Sequence, residues 1–569
     1  MTKHLIYILS ISFSILILTS CGSKENSQIE KLNTYIDEYS KIEEKNKDEF
    51  WPTFAIKKIK YQKEDYAKLL KDVNKINYDH LPDNQKINVD LLQLILEDKI
   101  SNLNFETYKI SLNSEGGFLI NMLYDIQAHK IETEKEFENY QEKLSAIPAY
   151  FQERTEHLKE TQAEGKSVPK VVVKNCIDII DNWLGTKVES SFFVKPVTGN
   201  TEWQSSIQSL LSIEVIPAYV DLRNYLSNEY LPKAPEVVGV SNIKDGKAYY
   251  EQRVKYFTTF NITPQEIFDK GQVEVKRIKV EMDKIIADLG YDGTFEEFLE
   301  FLRTDPQFYA ISGQELLNQA AWITKKMEGK LPQYFGKLPR MPLTVKPVPD
   351  AIAPTYTTGR YSPGSYADHR AGTYLVNTYK LESRPLYVLP ALTLHEGVPG
   401  HHLQIMLAAE IDSMPEFRKN TYLSAFGEGW GLYAEYLGEE AGIYENPYEK
   451  FGKLTYEMWR ACRLVVDPGM HYMGWTRQQA VDFMTANTAL SIHEVNTEID
   501  RYIGWPGQAV SYKIGELKIR ELRQLAETEL GEAFDIRGFH DLVLSNGSVP
   551  LKTLDRIVKK YIAKQKGLI

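Results

Sequence analysis

From about residue 50 to about residue 340, apolar side chains recur three and four positions apart, the spacing of amphipathic helices. Ala67-Lys-Leu-Leu-Lys-Asp-Val and Val89-Asp-Leu-Leu-Gln-Leu-Ile-Leu-Glu are clear instances. Segments 205–230 and 264–290 repeat the pattern, separated by Gly and Pro near 195–200 and 232–236. Thr263-Pro264-Gln265-Glu266 reads as a helix start: a Thr cap, Pro in the first position, an acid in the first turn. The composition then changes. Pro339, Pro342, Pro347, Pro349, Pro354 and Pro363 interrupt residues 337–390, and Ala371-Gly-Thr-Tyr-Leu-Val-Asn-Thr-Tyr379 is the best strand candidate. The helical pattern resumes near 387 and runs to the end. The expectation is a mainly α chain with a small sheet. Its 569 residues exceed what one core usually serves, and we divide them into a helical region, 49–336, and a second region, 337–569, packed as one continuous body.

The N-terminus reads as an address. A short basic start, Met1 to Lys3, leads through His4 into the apolar run Leu5 to Leu18, followed by the small residues Thr19 and Ser20. Leu18-Thr19-Ser20-Cys21 resembles a bacterial lipobox, which implies a signal peptide over 1–20, cleavage before Cys21 and lipid on its sulfur. Residues 21–48 are a polar tether merging into a first helix. No acid follows Cys21, since Gly22 stands there, so an outer membrane is the expected address in a cell that has one. No later stretch is long and apolar enough to span a bilayer. A net charge of -11 argues against nucleic acid as partner. The other cysteines, Cys176 and Cys462, are too few for a disulfide framework and read as small buried residues.

Six of the eleven histidines lie between His369 and His493. The densest segment is Leu392-Thr-Leu-His395-Glu396-Gly397-Val398-Pro399-Gly400-His401-His402-Leu-Gln404. The common zinc helix, H-E-x-x-H, puts its two histidines four residues apart on one face. Here the place of the second is taken by Pro399. On a straight helix His401 would point elsewhere, and His402 would sit about 10.5 Å further along the axis. Pro399, however, lacks an N–H and clashes with the carbonyl of His395, and Gly397 and Gly400 tolerate unusual backbone angles. The helix should therefore bulge or break over 397–400, which carries His401 to the ligand position, with His402 as the alternate. Downstream, Ser424-Ala-Phe-Gly-Glu428-Gly-Trp-Gly-Leu-Tyr-Ala-Glu435 supplies Glu428 as third ligand, and Glu435 as a supporting carboxylate. Gly429 and Gly431 are costly within a helix and mark places where another backbone or a substrate passes close. Zinc held by two His and one Glu keeps a position open for water, and Glu396, beside a ligand, is placed as the general base.

These motifs, with Arg463-Leu-Val-Val-Asp467-Pro-Gly-Met-His471 and Pro506-Gly-Gln-Ala-Val-Ser-Tyr512-Lys-Ile-Gly515, resemble the domain-of-unknown-function 885 family, which in turn resembles the gluzincin metallopeptidases. The likeness covers most of the mature chain, with its specific motifs within about 360–516. It implies a large helical body, a small β-sheet next to the zinc helices, a deep central groove and short peptides as substrates. It also implies a His and a Tyr that steady the oxyanion. His471, in a loop-like setting after Asp467-Pro-Gly, is the candidate histidine. Tyr512 and Tyr502 compete for the phenol role. Arg501 is a candidate for a substrate carboxylate or for pairing with Glu498 or Asp500. The strand through Tyr374 and Asn377, if at a sheet edge, could hold an extended peptide. The expected activity is thus a zinc peptidase on an exported lipoprotein. The alternatives are a zinc hydrolase of a non-peptide amide and a non-catalytic lipoprotein that binds peptides or metal.

Overall fold

The computed structural model describes residues 24–113, 116–350, 353 and 356–568, with backbone alone for 2–23 and Ala128. The expected leader over 1–20 and the lipidation site Cys21 lie outside the described side chains. Among the described residues no helix is long and apolar enough to cross a membrane. The described residues are mainly helical with one three-stranded sheet.

Two compact units form, and their boundary is not at 336/337. One comprises the chain up to Glu106 together with Met414–Thr421; the other comprises Thr107–Ser413 and Tyr422–Ile569. In the first unit a helix spans Thr2–Asn46 and buries Leu32 and Ile42, so that residues 21–46, where a tether merging into a first helix is expected, lie within it. The helix Ile56–Val73 buries Tyr66, Leu69 and Val73, spaced three and four apart, and Asp83–Asn104 buries Leu91, Leu92, Ile95 and Leu96. Each thus presents one apolar stripe for packing.

In the second unit, residues 107–336 are continuous with the part that carries the chemistry. Thr263 caps helix α1 (Pro264–Asp288) through a capping box with Glu266, with Pro264 in the first turn, as the sequence predicts. This helix lies along α5 (Pro447–His471). A side chain at Gly271 would stand 2.8 Å from Cβ of Leu464, so glycine is what lets the two backbones approach. That contact is why no domain boundary falls between the two halves.

The Pro-rich segment builds the sheet: β1 (Leu343–Pro347), β2 (Gly359–Ser362) and β3 (Gly372–Val376). The order is β1-β3-β2, with β3 parallel to β1 and antiparallel to β2. The expectation that the Tyr374 strand forms an edge is corrected: Tyr374 pairs with Val345 on one side and Tyr361 on the other. The short strand β2 is an edge instead. Beside it run helices α2 (Leu389–Glu396) and α3 (His401–Ala409). Helices α4 (Ser424–Glu440), α5, α6 (Ile492–Gly504) and α7 (Ser511–Leu530) complete this part. The loop-like setting expected for His471 is also corrected. Helix α5 continues through Pro468 to His471. Proline forfeits one helical hydrogen bond, yet almost every residue from Phe451 onward is buried, and that burial outweighs the loss.

Candidate metal centre

Helix α2 ends at Glu396 and α3 begins at His401, so the helix breaks over 397–400 as the sequence predicts. The turn is closed by the Gly400 N–H donating to the Leu394 carbonyl at 2.9 Å, and the His402 N–H donating to Gly397 at 3.1 Å. A side chain at Gly400 would stand 1.9 Å from the His395 carbonyl, which only glycine avoids. Trp430, fully buried on α4, donates its indole N–H to the Pro399 carbonyl at 2.8 Å and ties the turn to the helix that carries Glu428. The two glycines that flank Trp430 have the close neighbours expected of them. Gly429 meets the backbone of Gly515 on α7, and Gly431 lies under the imidazole of His395, whose Cε1 would be 2.5 Å from a Cβ there.

The break brings three donors together. His395, His401 and Glu428 offer ligand atoms that all lie within 4.8 Å of one another. Nε2 of His395 is 3.3 Å from Oε2 of Glu428, and Nε2 of His401 is 3.5 Å from the same oxygen. The two rings are perpendicular, with centroids 4.7 Å apart. Atoms bound at about 2.0–2.2 Å around a tetrahedral ion stand about 3.3–3.6 Å from one another, so the spacing fits zinc.

The proton arrangement supports the same fit. Nδ1 of His395 is 2.8 Å from Oε1 of Glu435, a carboxylate that only accepts, so Nδ1 carries the hydrogen. Nε2 then faces the Glu428 oxygen either as a donor in the imidazolium or, once that proton leaves, as a lone pair open to a cation in its place. Burial lowers the His395 pKa, but hydrogen bonds to Glu428 and Glu435 outweigh it and raise it to about 9. Burial likewise raises the Glu428 carboxyl, while His401 and His395 hold it well below the usual carboxylate range. The pocket is thus built to attract positive charge. Glu435 is 2% exposed and also lies 3.4 Å from Nη2 of Arg460, so the partner of His395 is itself held. Tyr422 donates its hydroxyl to the other Glu428 oxygen at 2.9 Å.

Glu396 is half-buried beside this triad. Its Oε2 accepts the backbone N–H of Tyr361 on β2 at 2.7 Å, which fixes the carboxylate against the sheet edge. Tyr512 on α7 is half-buried, and burial together with the Glu428 charge raises its pKa, which keeps the phenol protonated.

The other expected site residues are placed elsewhere. His402 does not converge on the triad: its Nε2 donates to the Met341 carbonyl at 3.0 Å, which leaves Nδ1 to accept the Tyr361 hydroxyl at 3.0 Å. His471 is fully buried, with Nε2 donating to the Tyr502 carbonyl at 2.9 Å and Nδ1 accepting the Val240 N–H at 3.3 Å. Both nitrogens are spent on the backbone, so it is a packing residue. The Tyr502 hydroxyl donates to Glu498 at 2.7 Å and accepts from Trp459 and Arg463, which leaves nothing for an oxyanion. Arg501 spends its nitrogens on Glu498 and Gln508. Tyr374 is fully buried in the central strand. The Asn377 amide donates to the carbonyls of Ala353, Tyr356 and Thr357, closing the loop before β2 rather than facing a substrate. The sequence reading missed Tyr361, Tyr422 and Arg460. Nothing local marks them, because each acts on a partner from a distant segment.

The burial of His471 has a measurable consequence. Burial pulls its pKa down to about 4, whereas the ordinary value is 6.5. Between those values the unfolded chain binds a proton that the folded chain refuses, so stability rises with pH and is lost on acidification, by up to about 3 kcal/mol. His471→Gln removes that contribution. Its urea midpoint is expected to fall less than the wild type's between pH 7 and pH 5, and an unchanged slope would count against a buried neutral ring.

Comparison with known proteins places the chain among bacterial relatives. A crystal structure described as "the putative lipoprotein from Colwellia psychrerythraea" is 27% identical with a TM-score of 0.85, the match covering 95% of this chain and 99% of that one. A second structure, "a putative lipoprotein of unknown function from Shewanella oneidensis", is 18% identical with a TM-score of 0.71, covers the same shares and shares the fold. No curated protein matches. The family model described as "Bacterial protein of unknown function (DUF885)" matches residues 36–558, nearly the whole chain, and the chain belongs to that family.

Proposed function

We propose that this chain is a zinc-dependent hydrolase of peptide bonds in short peptides, exported and anchored through lipid on Cys21. The observation that carries the reading is the convergence of His395 and His401 on one oxygen of Glu428, with Glu396 next in sequence. Imidazole and carboxylate donors suit zinc, and the spacing suits its bond lengths. When bound there, zinc supplies a Lewis acid that polarises the scissile carbonyl and eases proton loss from water. Glu396 takes one proton from the attacking water at a carboxylate oxygen, and the water oxygen bonds to the carbonyl carbon. The same carboxyl then passes the proton to the amide nitrogen as the C–N bond breaks, leaving an acid and an amine. The Tyr512 phenol is a donor for the negative charge that develops on the carbonyl oxygen. Strand β2 is a sheet edge beside Glu396, and the main-chain groups other than the Tyr361 N–H, which Glu396 takes, are those offered to an extended substrate. Export is supported by the lipobox-like Leu18-Thr19-Ser20-Cys21 and by relatives described as lipoproteins.

Elemental analysis of the purified protein tests the metal, and digestion of a peptide library tests the reaction. About one zinc per chain is expected, lost to chelators together with cleavage. Turnover of non-peptide amides with none of peptides would refute the substrate class, and a metal-free, inert protein would refute the whole reading.

A further inference from the structure

Next to the metal triad lies a group of guanidinium side chains with more hydrogen-bond donors than the protein satisfies. Arg463 is 2% exposed. Its Nε donates to the Tyr502 hydroxyl at 2.8 Å and its Nη2 to Glu498 at 3.2 Å, but its Nη1 is buried without a partner. The guanidinium carbon lies 4.3 Å from the ring centroids of both Trp459 and Tyr512. Arg460, 5% exposed, and Arg384 each bury an unpartnered Nε. With Arg501 these make four positive charges in a region whose acidic partners are Glu435, Glu494 and Glu498.

A buried guanidinium N–H without an acceptor is costly, and an anion with two oxygens, which the planar fork of arginine matches, is the acceptor that Nη1 of Arg463 lacks. Glu494 feels Arg384, Arg460 and Arg463, yet burial and the neighbouring Glu498 charge raise its carboxyl to about 7. Glu498 and Glu435 are already paired with Arg463, Arg501 and Arg460, and Glu494 is a poor further counterion, so a substrate anion could supply the remaining negative charge.

The position relates this cluster to the chemistry. One aromatic ring separates it from the triad, since Tyr512 covers Arg463 and its phenol feels the charge of Glu428. A second route runs from Arg460 through Glu435 to His395. An extended peptide advances about 3.3–3.6 Å per residue, so a carboxylate held beside Tyr512 belongs to the same short peptide whose carbonyl lies at the triad. Every peptide with an unmodified C-terminus carries a carboxylate there that meets this description.

Building on the proposed peptidase activity, we propose that the cluster centred on Arg463 binds the free C-terminal carboxylate of a short peptide, so that the enzyme cleaves from that end. Arg501, for which the sequence leaves open a substrate carboxylate or Glu498, takes Glu498 and shapes the site by holding it.

The test compares matched peptides with a free C-terminus, a C-terminal carboxamide, or an acetylated N-terminus. Amidation is expected to lower kcat/KM by about 100-fold or more, while N-acetylation leaves it nearly unchanged. Arg463→Gln brings the free acid down to the level of the amide, and Arg463→Lys restores part of the difference. Metal-free protein titrated calorimetrically with a dipeptide and its carboxamide gives a readout independent of turnover, and the free acid is expected to bind at least about tenfold tighter. Equal cleavage of acid and amide by the wild type overturns the subsite and leaves the peptidase standing. Cleavage of neither, with the acid still preferred in calorimetry, overturns the peptidase and leaves the carboxylate site. Should Arg463→Gln fail to fold, the acid-against-amide comparison on the wild type still decides.

Discussion

Glu396→Gln is expected to lower peptide turnover by about 10²–10⁴-fold, the usual contribution of a positioned general base, while the protein keeps its zinc. The substitution is nearly isosteric, and the amide oxygen can still accept the Tyr361 N–H that now reaches Oε2 at 2.7 Å. The break after α2 and the triad are therefore undisturbed. What is lost is the oxygen that takes a proton, since an amide is not a base at neutral pH. Steady-state kinetics on one good peptide, with zinc content measured on the same sample, checks both halves. Activity within a few fold of the wild type would exclude Glu396 as the base, and loss of zinc would make it part of the metal shell instead.

The break itself was legible because its causes are local. Pro399 clashes with the carbonyl of His395, and Gly400 accepts a contact that no other residue tolerates. Two residues with fixed physical properties thus say where α2 must end, and the convergence of His395 and His401 follows. The helical character of most of the chain was legible for the same reason, as was the Thr263 cap. What was not legible depends on partners far away in sequence. Tyr374 lies in a central strand only because residues 343–347 and 359–362 flank it on opposite sides, and no alternation within the strand tells one neighbour from two. Tyr502 looks like a free phenol until Trp459 and Arg463 on α5 and Glu498 on its own helix occupy its hydroxyl. Pro468 signals a helix end, and the signal loses to the burial of the whole final turn. His471 follows from that, because its setting was judged by the proline before it. The Arg463 cluster escaped notice because an unsatisfied donor is a property of packing.

The choice between two adjacent histidines is where a second large effect is expected. His401→Asn should weaken zinc binding by about 10²–10³-fold, one ligand's share of the about 10–16 kcal/mol that a full zinc site supplies. His402→Asn should leave zinc affinity nearly unchanged and lower the melting temperature instead. The reason is the use each ring already has. His402 donates to Met341 and accepts from Tyr361, so recruiting it to a metal would break two buried hydrogen bonds, each costing about 1–3 kcal/mol to leave unmade. His401 directs Nε2 at Glu428 with no such obligation to break. Helical geometry reinforces this, since residues adjacent on a helix point about 100° apart and cannot both face one ion. Competition against a zinc chelator of known affinity, with a thermal melt of the metal-free protein, separates the two variants. The opposite pattern, with zinc lost from the His402 variant and kept by the His401 variant, would mean that α3 turns by one residue when metal binds, and the ligands would then be His395, His402 and Glu428.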